Sequence, residues 1–201
     1  MNRAKSVIGK LALNKSFFLL CDVQDRFRPL IHNFESVLWV ANTMSKASNI
    51  LNVPMIITEQ YPKALGHTCK EIELPPHQRI FEKKKFSMLD DEVSKHLEEE
   101  ESFKERRQAV LFGIEAHVCV QQTALELIER DYEVHIIADG TSSQRKFDRD
   151  VAFDRMRQAG AFVTTSESAL FQLVGSADFT HFKAISSLST SKTSPRPDQG
   201  S

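Results

Sequence analysis

The sequence predicts an α/β domain with three α-β-α layers around a mostly parallel central sheet. Three observations lead there. Short apolar β-rich runs alternate with segments of helical periodicity along most of the chain. Runs such as SFFLLCDV (16–23) and RQAVLFGI (107–114) are continuously apolar rather than alternating, as in strands covered on both faces. Two of the runs, 16–23 and 132–139, reach an aspartate at or near their ends, which places carboxylates at the sheet edge where such folds bind ligands.

The elements follow in order. After the first strand, FESVLWVANTMSKASNIL (34–51) sets Phe34, Val37, Leu38, Ala41, Met44, Ala47, Ile50 and Leu51 at helical spacing. NVPMIIT is a second buried strand, and RIFEKKKFS a short strand running into a basic loop. MLDDEVSKHLEEEE reads as a polar surface helix. RQAVLFGI is a strong strand, followed by a helix over 117–130 and the strand YEVHIIAD (132–139). DVAFDRMRQAG is a helix with Gly160 as terminator. AFVTT and SESALFQLVG give the last strand and helix, with Ser166 and Ser168 as candidate caps.

A chain of 201 residues, 41% hydrophobic and 26% charged, fits one domain with a core of its own. The expected organisation is an extension over 1–15, a catalytic-type domain over 16–185, and a disordered Ser/Thr/Pro-rich tail over 186–201. A net charge of −1 offers no field for nucleic acid or a membrane surface, so neither is expected as a partner. No apolar run is long enough to cross a bilayer. Three cysteines, an odd number, point to a reducing compartment. The cytoplasm is expected. The N-terminal Arg3, Lys5, Lys10 and Lys15, with no acid before Asp22, keep a mitochondrial location as the alternative. Among seven glycines neither GxGxxG nor GxxxxGK(S/T) occurs, so no nucleotide cofactor is expected.

Three chemically useful groups sit at three strand ends. Asp22 closes the first strand, the Lys83–Lys84–Lys85 run follows the third, and Cys119 follows RQAVLFGI. A parallel sheet puts all three on one edge. A thiol is a nucleophile as thiolate, which a neighbouring ammonium and a helix N-terminus both favour. A carboxylate can take the thiol proton and return it to a leaving group. Backbone N–H groups at the turn can hold an oxyanion. Each residue also has a plainer reading: Cys119 a small buried hydrophobe, Asp22 a turn residue, the lysines a solvated loop. Cys21 and Cys69 read as structural. His117 lies two residues before Cys119, and positions i and i+2 at a helix start point apart, against a Cys–His dyad.

CDVQDRF (21–27), FEKKKFSM (81–88) and GIEAHVCVQQTALELIERDYEVHIIAD (113–139) resemble the three signature blocks of the isochorismatase-like cysteine hydrolases. TEQYPKALG (58–66) and MRQAGAF (156–162) are similar to the eukaryotic isochorismatase domain-containing branch, and the resemblance covers about residues 16–185. It implies a Rossmann-like α-β-α fold and a catalytic trio of Asp22, Lys83 and Cys119. It further implies a cis peptide at Ile114–Glu115, with the N–H groups of Glu115 and Cys119 as oxyanion donors. Gln24 and Phe27 would shape the pocket wall. Relatives with a metal carry Asp-x-His where this chain has Glu59-Gln60-Tyr61, so no metal is expected. The implied activity is hydrolysis of a C–N amide-type bond in a small-molecule substrate through a thioester, by a homo-oligomer. Two rivals stand beside it: hydrolysis of an enol ether or other non-amide bond, and a non-catalytic interaction protein on the same fold.

Overall fold

A computed structural model describes residues 8–189. In chain order the elements are β1 (Ser16–Cys21), α1 (Phe34–Leu51), β2 (Met55–Gln60), the single turn α2 (Pro62–Leu65), β3 (Ile80–Lys83) and α3 (Asp91–Glu99). There follow β4 (Gln108–Ile114), a π-type turn Ala116–Val120 leading into α4 (Gln121–Glu129), β5 (Glu133–Ser142) and α5 (Lys146–Ala159). β6 (Phe162–Thr164), α6 (Ser166–Val174) and α7 (Phe182–Ser189) complete it. The six strands form one sheet in the order β3-β2-β1-β4-β5-β6, and every pairing is parallel. The winding direction reverses between β1 and β4, which makes their carboxyl ends the switch point where such sheets take ligands.

The continuous apolar runs have the expected cause. Along β1, Phe18 and Leu20 join one buried cluster with α1 and α6, while Phe17, Leu19 and Cys21 join another with α3, α4 and α5. Each strand residue is thus covered whichever way it points.

Several boundaries move. β5 runs on to Ser142 rather than ending at Asp139, across an irregularity opposite Leu111 and Gly113 of β4. The Asp139 carboxylate instead accepts from the N–H and hydroxyl of Ser166 at 2.8 and 2.6 Å. The side chain that caps α6 is Thr165, which accepts from Ser168 N–H at 3.3 Å; neither Ser166 nor Ser168 is the cap. α7 crosses the boundary placed at 186: Phe182, Ile185 and Leu188 sit at helical spacing and pack against the first cluster. Flanking serines and threonines hide that stripe in a composition reading. Residues 190–201 and 1–7 lie outside the described residues. Of the expected N-terminal extension, Leu11 is a core residue, and the Gln108 amide accepts from Ala12 N–H and donates to the Lys10 carbonyl, both at 2.8 Å.

Gly113 is a point of close approach within the sheet. It pairs with Cys21 across β1 and β4 and has φ of 125°, where L side chains are strained. A Cβ there would run into the Cys21 carbonyl. The Gly113→Ala variant is therefore expected to lose more than about 3 kcal/mol of unfolding free energy. Urea denaturation checks this, and a midpoint within error of the parent refutes it.

Candidate active site

Asp22 is the first residue beyond β1, and its φ of 52° is left-handed, a conformation aspartate tolerates better than most. The carboxylate is buried at the switch point. There Oδ1 accepts from the Thr58 hydroxyl at 2.8 Å and Oδ2 from the Lys83 ammonium at 2.7 Å. The Cys21 thiol donates to the same Oδ2 at 3.5 Å.

The lysine run is sorted by strand alternation. Along β3, Phe81 and Lys83 point inward while Ile80 and Glu82 are partly or fully exposed. Lys83 Nζ reaches Asp22 Oδ2, Gln60 Oε1 at 2.6 Å and the carbonyls of Lys85 and Phe86 at 3.2 and 2.9 Å. An ammonium has three protons to donate, so four acceptors leave none idle. Burial pulls the Lys83 pKa down, but the negative charges of Cys21, Asp22 and Cys119 outweigh it and the pKa is raised. Lys84 instead lies over the Tyr61 ring at 5.7 Å, and Lys85 pairs with Glu126 at 2.9 Å on the surface.

Cys119 sits in the π-type turn that converts β4 into α4. The turn closes on the Glu115 carbonyl, which accepts from Val118 and Val120 N–H at 3.1 and 3.2 Å. The Ile114–Glu115 peptide bond is cis, at the position the resemblance gives it. Thr123 anchors the turn: its hydroxyl donates to the Cys119 carbonyl at 2.6 Å and accepts from Met88 N–H at 2.9 Å. The sulfurs of Cys21 and Cys119 and an Asp22 carboxylate oxygen all lie within 4.8 Å of one another. All three residues are buried, and Cys119 is the least enclosed of them, 7% exposed against 0% for Cys21 and 1% for Asp22. Asp22, Lys83 and Cys119 thus meet in one cluster.

The other expected site residues divide. The Glu115 side chain accepts from Gln144 N–H at 3.0 Å and ties the turn to the loop after β5. The Gln24 amide is fully engaged, donating to the Gln60 and Gly66 carbonyls at 3.1 and 2.6 Å and accepting from Gln60 N–H at 2.7 Å. It therefore positions Gln60, which in turn holds Lys83. Phe27 packs against the cluster containing Leu20, Ile57 and Phe112, not the one holding Cys119. His117 turns to Ser143, Nδ1 to hydroxyl 2.9 Å, and so is spoken for away from the thiol.

Sequence reasoning missed Thr58 and Gln60. Both are placed by register, Thr58 opposite Cys21 and Gln60 opposite Lys83. Their two-residue spacing on β2 was the available signal. The buried Glu59 carboxylate accepts from Thr68 N–H and hydroxyl at 2.6 and 2.8 Å and meets His67 Nδ1 at 3.0 Å. That hydrogen bond, then the Glu59 charge, raises the His67 pKa.

Among the described residues two groups bring potential metal-binding atoms together: Cys21, Asp22 and Cys119, and Asp25, Cys69 and Glu71. In each a protein cation already supplies the balancing charge, Lys83 at 2.7 Å from Asp22 and Arg28 at 2.6 Å from Glu71. An open cleft of about 420 Å³ lies against Lys83 and Lys84, walled by Tyr61, Pro62 and Asp90. Neither Asp22 nor Cys119 lines it, so it adjoins the cluster without being its chamber.

Residues 16–168 match the isochorismatase domain. Isochorismatase domain-containing protein 1 of Salmo salar is 44% identical over 183 residues, which cover 91% of this chain. The chain spans only 64% of the length of that relative. Isochorismatase domain-containing protein 2 of Danio rerio is 43% identical, with 96% of this chain and 94% of that one covered. A solved Caenorhabditis elegans structure, described as MAR1 ribonuclease, superimposes with a TM-score of 0.87 at 37% identity, covering 96% and 97% of the two chains. Since the matched domain takes in most of the chain, with Asp22, Lys83 and Cys119 together, the chain belongs to the isochorismatase family.

Proposed function

We propose that the chain is a cysteine hydrolase that cleaves a C–N amide-type bond in a small metabolite through a Cys119 thioester. One observation carries the reading: the buried Asp22–Lys83 pair presents its carboxylate beside the slightly exposed Cys119 thiol. Asp22 takes the thiol proton as Cys119 Sγ attacks the carbonyl carbon, and the ammonium of Lys83 balances the charge nearby. The tetrahedral oxyanion rests on the N–H groups of Glu115 and Cys119. Asp22 then passes its proton to the departing nitrogen as the C–N bond breaks. A water molecule, deprotonated by the same carboxylate, hydrolyses the thioester and restores the thiol. Gln24 serves as a positioning residue for this centre rather than as a substrate contact, through Gln60 and Lys83.

The narrow exposure of Cys119 favours small substrates over polymers. A second reading, RNA cleavage, is favoured by the likeness to the nematode ribonuclease. Against it, the net charge of −1 gives no field for a polyanion. Three free, buried thiols support a reducing compartment such as the cytosol. Exposed Phe147 and Val151, one turn apart on α5, support assembly with further copies. Among the described residues no helix is long and apolar enough to cross a membrane. The interaction-protein rival is best tested by truncation after Ser189, because removal from Ser186 would cut α7.

Iodoacetamide labelling below neutral pH, read cysteine by cysteine, tests the activated thiol. Burial raises the Cys21 pKa, and burial with a hydrogen bond to Asp25 pushes Cys69 up to about 12. Cys119 is expected to label about tenfold or more faster than either, and more slowly in Lys83→Met. Equal rates for Cys119 and Cys69 in folded protein, with all three labelling when denatured, would sink the reading. A parallel screen of small amides and of a generic RNA separates the two hydrolytic readings.

Lys83→Met leaves a buried carboxylate without its partner and is expected to cost about 3–5 kcal/mol near neutral pH. The folded Lys83 pKa is raised, so the contribution of the ion pair is complete below the unfolded value of about 10.4 and is lost as pH rises through the folded one. Urea unfolding should show a constant gap between parent and variant from about pH 7 to about pH 10, narrowing above that. A gap that stays constant as pH is raised well past that point instead contradicts the assignment.

A further inference from the structure

The hydrolytic steps leave one thiol at the centre unused. Cys21 is the last residue of β1, fully buried, and its sulfur lies within 4.8 Å of the Cys119 sulfur. Gly113, opposite Cys21 on β4, has no side chain to stand between them. The sequence alone makes Cys21 a structural core residue; the fold makes it a neighbour of the nucleophile. Cys69 packs in the other cluster, among residues of α1 and the loop after β2.

We propose that Cys21 is the resolving cysteine of Cys119, so that peroxide converts the active site into a reversible Cys21–Cys119 disulfide. The inference rests on the reading of Cys119 as an activated thiolate. Exposure sets the order of events: Cys119 is the less enclosed of the two, at 7% against 0% for Cys21, so peroxide meets Cys119 first. In the first step the Cys119 thiolate attacks one oxygen of hydrogen peroxide. The O–O bond breaks, sulfur is oxidised to sulfenic acid, and the departing hydroxide takes from Asp22 the proton that the Cys119 thiol had given up, leaving as water. In the second, Cys21 Sγ attacks the sulfenic sulfur. Its proton passes to Asp22 Oδ2, 3.5 Å away, and from there to the leaving hydroxide, which departs as a second water. The S–S bond is complete when the sulfurs close to about 2.05 Å. A dithiol reductant regenerates both thiols by exchange and is itself oxidised to a disulfide. The disulfide removes the nucleophile and shields it from irreversible sulfinic acid.

The test uses the full chain, hydrogen peroxide and dithiothreitol, with intact mass and peptide mapping as the readouts, so no substrate is needed. Parent protein is expected to lose two hydrogen masses, to yield a Cys21–Cys119 crosslinked peptide, and to recover full Cys119 alkylation after dithiothreitol. Cys21→Ala is expected to accumulate sulfinic acid at Cys119 about tenfold faster, with no recovery. Cys69→Ala controls for the third thiol and should behave as the parent. If Cys119 labels rapidly with iodoacetamide yet goes to sulfinic acid equally fast in parent and Cys21→Ala, the resolving role is overturned and the hydrolase reading stands. If Cys119 is inert to both reagents in folded protein, both fall.

Discussion

The ion pair between Lys83 and Asp22 is the constraint around which the rest is arranged. Two unit charges with almost no access to water are costly to desolvate, and that cost is met only when every proton and lone pair finds a partner. The partners come from all over the sheet. Thr58 of β2 completes one oxygen of Asp22, Gln60 of β2 takes a proton of Lys83, and the chain after β3 folds back to offer two carbonyls. Gln24, beyond β1, fixes Gln60 with its own amide. What looks like decoration around three catalytic-type residues is the set of groups that lets a carboxylate and an ammonium exist in a dry place.

Backbone geometry serves the same end. Asp22 is left-handed just beyond β1, and its carboxylate meets Thr58 and Lys83 there. Gly113 lets β4 lie against the Cys21 carbonyl, and the π-type turn after it delivers Cys119 to the same spot. The topology explains why these elements and not others are involved: β1 and β4 flank the reversal of winding, where no connecting helix crosses the carboxyl edge.

Much of this was legible in the sequence because its determinants are local. Buried parallel strands announce themselves as unbroken apolar runs, and β1, β2 and β4 lie where those runs do. Asp22, the Lys83–Lys85 run and Cys119 could be placed on one edge from a parallel sheet alone, and the resemblance to the family chose Lys83 among the three lysines. What was hidden depends on register, which no local pattern carries. Thr58 and Gln60 matter only because they fall opposite Cys21 and Lys83. The nearness of Cys21 to Cys119 likewise needs β1 beside β4, two strands separated by most of a hundred residues. Thr165 was passed over as a cap for the adjacent serines, since all three side chains are capable and the chain direction at that point decides. Helix α7 was hidden by composition: three apolar residues at helical spacing carry it, among serines that belong equally well to a tail.

The carbonyls of Lys85 and Phe86 that hold the Lys83 ammonium have a consequence for how this chain can vary. A ring closed from one side chain to its own backbone two and three residues on has a fixed circumference. One residue inserted or deleted between Lys83 and Phe86 would swing both carbonyls away, however well the new residue suited a loop. The β-period imposes a matching rule upstream, since a shift of one place would point Lys84 inward and Lys83 toward solvent. Length, more than composition, is therefore what the geometry demands of this segment, and three consecutive lysines are three unequal positions.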